Sequence, residues 1–77
     1  MDNPLYLHAD WDAEAGVWVA TSNDVPGLAT EAETVEALVA KLESMIPELL
    51  AANGTAVGPK VTFELLARRF DRVRPAA

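Results

Sequence analysis

The sequence predicts a small α+β domain, an antiparallel β-β-β-α-β chain order in which one helix forms a second layer across a sheet. Three observations carry this reading. Two β-rich segments in the first 22 residues flank a short loop that ends in glycine. Residues 35–52 repeat apolar side chains at three- and four-residue spacing, the period of a helix with one buried face. A last apolar segment opens on Val61 behind Gly58-Pro59, and its β-branched start favours a closing strand over about 60–69.

The first strand is "LYLHADW", residues 5–11. Leu5, Leu7, Ala9 and Trp11 fall on one face and Tyr6, His8 and Asp10 on the other, the period-two pattern of a sheet with one buried side. "DAEAG" reads as a hairpin loop, and "VWVATS", residues 17–22, as the returning strand. Next comes "NDVPG". Pro26 presets its own φ, and Gly27 takes the positive φ that a type II turn demands. "LAT", residues 28–30, fits a short third strand.

In the helix, Val35, Leu38, Val39, Leu42, Met45, Ile46 and Leu49 make the apolar stripe. Thr34 abuts it as N-cap, with Glu36 in the first turn where the helix dipole favours an anion. Thr30 with Glu33 is a competing capping box. Asn53-Gly54 supplies a C-cap. Pro47 lies inside the helix, where it removes one ladder bond; a bend that wraps the helix over a twisted sheet is the expected consequence. "GTAVGP", residues 54–59, reads as a linker and "RPAA" as a loose tail. The segment 61–73 also matches helical spacing through Phe63, Leu66, Phe70 and Val73, so periodicity alone leaves it open.

The 77 residues make one domain, with an ordered core expected over about 4–70. A chain of this size buries only about 60% of its unfolded surface. With no cysteine and one histidine, disulfide and zinc staples are excluded, so packing or self-association must supply stability. A homodimer or larger homo-oligomer is expected. Phe63, Leu65, Leu66 and Phe70 are more apolar surface than one helix covers, which places the self-association surface there. No membrane-length apolar run and no signal-peptide pattern occur, so a cytoplasmic protein is expected.

Charge is divided along the chain. Residues 1–59 hold ten acids and one base, a balance of −9; residues 60–77 hold five bases and two acids, a balance of +3. The acidic part suits a basic partner and repels phosphate backbones. Arg68, Arg69, Arg72 and Arg74 form a small basic patch without interleaved stacking residues, so nucleic-acid binding is not expected. Asp10, Asp12, Glu14 and Asp24 invite comparison with a two-metal nuclease, but such a site needs carboxylates converging on metals about 3.5–4 Å apart, and solvated loop acids are the plainer reading. His8 has no evident nucleophile beside it, and Ser22 and Ser44 sit in generic contexts. Trp11 and Trp18 read as hairpin packing. No catalysis, cofactor or metal is expected.

The order of these pieces resembles the HicB-like antitoxin domains. The resemblance runs from residue 5 to about 69 and is strongest over "WDAEAGVWVATSNDVPGLATEAETVEALVAKLESMIPELL", with its Asp-hydrophobic-Pro-Gly turn ahead of an acid-Thr helix start. It looks most like the short, free-standing bacterial domains of unknown function grouped with HicB. The resemblance implies a truncated ribonuclease H-like fold without catalytic acids, and it favours a strand over 60–69. It also implies binding to a small basic RNA-cleaving toxin, HicA. The Pro-Gly turn fixes the path from hairpin to helix, and Asp24, Glu31, Glu33 and Glu36 along that path are the acids expected to face a basic partner. Many HicB proteins add a C-terminal DNA-binding domain. Only eight residues follow position 69 here, so DNA-binding autorepression is not expected. The alternative is an orphan homo-oligomeric domain with no toxin partner.

Overall fold

A computed structural model describes residues 4–55 and 58–76. Five elements follow one another: β1 (Leu5–Asp12), β2 (Val17–Thr21), β3 (Ala29–Ala32), α1 (Val35–Ala52) and β4 (Phe63–Arg68). Within the segment 61–73 that periodicity left open, Phe63–Arg68 is a strand. The four strands form one sheet in the order β3-β2-β1-β4. β1 pairs antiparallel with β2, bringing Trp11 opposite Trp18 and His8 opposite Thr21. β2 pairs antiparallel with β3, Val19 facing Glu31. β4 runs parallel to β1, from Leu5 opposite Phe63 to Asp10 opposite Arg68, so the sheet is mixed, though mostly antiparallel. A parallel partner needs a crossover connection, and α1 with its following segment provides it.

Strand alternation sorts the side chains as the pattern of residues 5–11 requires. Leu7, Ala9 and Ala20 are buried on the helix side, while Tyr6, His8 and Asp10 stay exposed on the open side. Leu38, Leu42, Ile46 and Leu50 recur every four residues and are all buried, which gives α1 one straight contact row. Val25 and Leu28, flanking the Pro26-Gly27 turn, are buried in the same core. No polar or charged side chain is buried among the described residues.

Both helix ends are capped by local chemistry. The Thr34 hydroxyl accepts the Ala37 N–H at 3.0 Å, so Thr34 and not Thr30 is the N-cap. At the other end Gly54 N–H donates to Ala51 O and Thr55 N–H to Leu50 O, a Schellman closure with Gly54 at φ 71°. The remainder of the expected linker includes residues 56 and 57, which lie outside the described residues, as do residues 1–3 of the N-terminus and Ala77 of the expected tail. Residues 69–76 carry neither helix nor strand.

Candidate functional site

The turn at 22–28 is a tied corner. Leu28 N–H donates to Val25 O at 3.1 Å and Gly27 has φ 85°, which is the type II geometry expected of Pro26-Gly27. The Ser22 hydroxyl donates to Tyr6 O at 2.7 Å. It also accepts the N–H groups of Asp24 and Val25 at 3.0 and 3.3 Å. Asp24 then returns its carboxylate to the Tyr6 N–H at 2.8 Å. From the helix, Asn53 Nδ2 donates to Pro26 O at 3.1 Å. The corner thus joins the start of β1, the end of β2 and the C-terminus of α1. Sequence reading passed over Ser22 and the Asn53 clamp. The available signal was the Ser-x-Asp-Val spacing, in which a hydroxyl can accept N–H groups two and three residues ahead.

The four acids expected to face a basic partner do not form one cluster. Asp24 sits at the corner, beside the C-terminal end of α1. Glu31 lies on β3, Glu33 between β3 and α1, and Glu36 in the first helical turn. An 18-residue helix separates these ends by about 27 Å at 1.5 Å per residue. Glu31, Glu33 and Glu36 are exposed, and none has a salt-bridge partner among the described residues. Lys41, the one base in residues 1–59, reaches the Glu31 backbone carbonyl and not a carboxylate.

Asp10 and Asp12 occupy the far end of β1 from Tyr6, which Asp24 binds. Tyr6 and Asp12 are six residue steps apart on the strand, about 20 Å. Asp10 faces Arg68 at 3.6 Å. Asp12 Oδ1 accepts the N–H groups of Glu14 and Ala15, holding the hairpin loop. Among the described residues no three His, Cys, Asp or Glu side chains converge as metal ligands would. His8 is exposed on the open face, where it lines a shallow hollow of about 320 Å³ with Asp10, Thr21, Leu66 and Arg68.

The expected self-association residues divide between surfaces. Phe63 and Leu65 are half-buried against the core on the helix side. Leu66 is 56% exposed on the open face, and Phe70 is 82% exposed beyond the sheet. Trp11 and Trp18 meet edge to face, with centroids 5.4 Å apart, as cross-strand neighbours. The Arg69 guanidinium stacks over Trp11 at 4.4 Å, a cation–π contact that sequence spacing did not show.

No helix among the described residues is long and apolar enough to cross a membrane. No curated protein matches the chain. A solved structure, the crystal structure of the hypothetical protein TTHA1013 from the extremely thermophilic bacterium Thermus thermophilus, is similar at 53% identity; the match covers 97% of this chain and 99% of that one, with a TM-score of 0.79. Residues 4–76 match the family described as "Domain of unknown function (DUF1902)". With nearly its whole length matched, the chain belongs to the DUF1902 family.

Proposed function

We propose that this chain is a non-catalytic HicB-like protein-interaction module that binds a small basic protein, as the antitoxin of a toxin–antitoxin pair that masks an RNA-cleaving toxin. The observation that carries the reading is the group Glu31, Glu33 and Glu36. The fold places these exposed acids along one path, from the β3 edge into the first turn of α1, with no basic side chain of the described residues bridged to them. Like charges repel one another, the Lys41 ammonium at the Glu31 carbonyl offsets only part of this, and a basic partner relieves the rest while gaining speed and orientation in docking. Asp24 takes a lesser part, because one of its oxygens already holds Tyr6.

The test is co-expression and pull-down with the basic protein encoded beside this chain, at low and high salt. Wild type is expected to retain it, with retention falling as salt rises. The Glu31→Lys/Glu33→Lys/Glu36→Lys variant is expected to lose it. Retention by the triple variant overturns the acidic docking path. The absence of any basic neighbour, with no basic protein retained at low salt, overturns the antitoxin reading.

A further inference from the structure

We infer that the basic partner docks by strand addition: an extended segment with lysine or arginine at alternate positions pairs along the free edge of β3 and displaces Lys41 from it. The inference rests on the acidic docking path proposed above and adds to it the backbone geometry and side-chain pattern of what binds there.

The ladder fixes which backbone groups β3 turns outward. Along a strand, successive residues send their N–H and C=O groups to opposite sides. The Tyr6 N–H donates to Asp24 and the Tyr6 carbonyl accepts from Ser22, both on the β2 side, whereas the Leu5 N–H donates to Thr62 O, just ahead of β4, at 2.9 Å. Tyr6, His8 and Asp10 therefore point to β2, and Thr21 and Val19 answer His8 and Asp10 from it. Trp18 and Ala20 then point the other way, to Ala32 and Thr30. The N–H and C=O groups of Ala29 and Glu31 are left on the free edge. Lys41 agrees with this, since its ammonium reaches the Glu31 carbonyl from α1.

The chemistry of the edge selects a basic strand. The Glu31 carbonyl already holds a lysine: Lys41 is the one base in residues 1–59, and its ammonium takes this backbone oxygen while bridging no carboxylate of the described residues. Beside it lies a hollow of about 230 Å³ lined by Val19, Ala29, Thr30 and Glu31. The register puts Val19, Ala29 and Glu31 on the open face, two small apolar side chains beside a carboxylate. A long basic side chain opposite Glu31 can lay its methylene stem over Val19 and Ala29 and set its charged head on the carboxylate. Side chains of an added strand alternate between faces, so the basic residues fall at every second position.

Charge also chooses between the two edges of the sheet. The β4 edge bears Arg68 and leads into Arg69, Arg72 and Arg74, in a segment from 60 to 77 that carries +3. The β3 edge bears Glu31 and runs on to Glu33 and Glu36. With only Ala29 and Glu31 facing outward, backbone pairing supplies few bonds, and the acids alongside supply the rest of the attraction.

Amide exchange of the isotope-labelled full chain reads the edge directly. In the free protein Thr30 and Ala32 are expected to be protected, and Ala29 and Glu31 to exchange freely. The probe is a short blocked peptide in which lysine alternates with valine. Its control carries a methyl on the backbone nitrogen of each lysine, which keeps every charge and removes the N–H groups that would face β3. The plain peptide is expected to slow exchange at Ala29 and Glu31 and to bind at least about tenfold more tightly than the control. Lys41→Met, at an exposed position, should tighten binding severalfold by freeing the Glu31 carbonyl, and Ala29→Met should weaken it severalfold by filling the hollow without changing charge. Equal affinity for the two peptides, unchanged exchange at Ala29 and Glu31, weaker binding by Lys41→Met, or no binding at millimolar peptide would overturn strand addition. Peptide docking with no basic neighbour retained in the pull-down overturns the antitoxin reading alone, and a retained neighbour with no peptide docking overturns strand addition alone.

Discussion

Replacing Ser22 with alanine tests the corner that positions everything around the Pro26-Gly27 turn. One hydroxyl makes three hydrogen bonds: it donates to Tyr6 O and accepts from Asp24 and Val25 N–H. The first two bonds are exposed, so water replaces much of what is lost, and each is worth about 0.5 kcal/mol. The Val25 bond is partly buried, and leaving that N–H unpaired costs about 1 kcal/mol. The sum is about 2 kcal/mol. A 77-residue domain has about 4–11 kcal/mol in all, so the loss is a large fraction. It corresponds to a fall in Tm of about 8–16 °C at this size. Urea unfolding followed by tryptophan fluorescence measures it directly, with an unchanged m-value expected. Ser44→Ala is the control. Ser44 is exposed in the middle of α1, where alanine is the better helix former, so a gain of about 0.5 kcal/mol is expected. A cost below about 0.5 kcal/mol for Ser22→Ala, no larger than an ordinary surface change, would refute the tied corner.

Leu42→Ala removes a fully buried side chain from the centre of the helix row and is expected to cost about 3 kcal/mol in chemical unfolding, more than Leu49→Ala, whose side chain is only half-buried. At Gly27 an added Cβ meets only Leu49 Cδ2 at an ordinary 3.7 Å, so the cost of Gly27→Ala comes from the backbone at φ 85° and is about 1–2 kcal/mol. Gly27→Asn should cost less than Gly27→Ala in the same melt, because asparagine tolerates that conformation better.

The helix is the element most fully written in the sequence. Its apolar period, the Thr34 cap and the Asn53-Gly54 stop all act within a few residues, and each appears in place. The type II turn at Pro26-Gly27 is legible for the same reason, since proline and glycine dictate φ with no help from the rest of the chain. The alternation of residues 5–11 likewise tells which side faces the core, although it does not tell which strand lies alongside. The tertiary structure alone decides that β4 enters next to β1 and runs parallel to it. Its Phe63, Leu65 and Leu66 fit a strand in either direction, and the direction follows from where α1 returns the chain. The candidate site divides in the same way. Glu31, Glu33 and Glu36 are close in sequence and stay together in space, whereas Asp24, only seven residues before Glu31, is carried to the other end of α1 by β3 and held there by Tyr6. The roles of Ser22, Asn53 and Arg69 depend on partners 16, 27 and 58 positions away. Such contacts follow from strand pairing and helix placement, which no local pattern encodes.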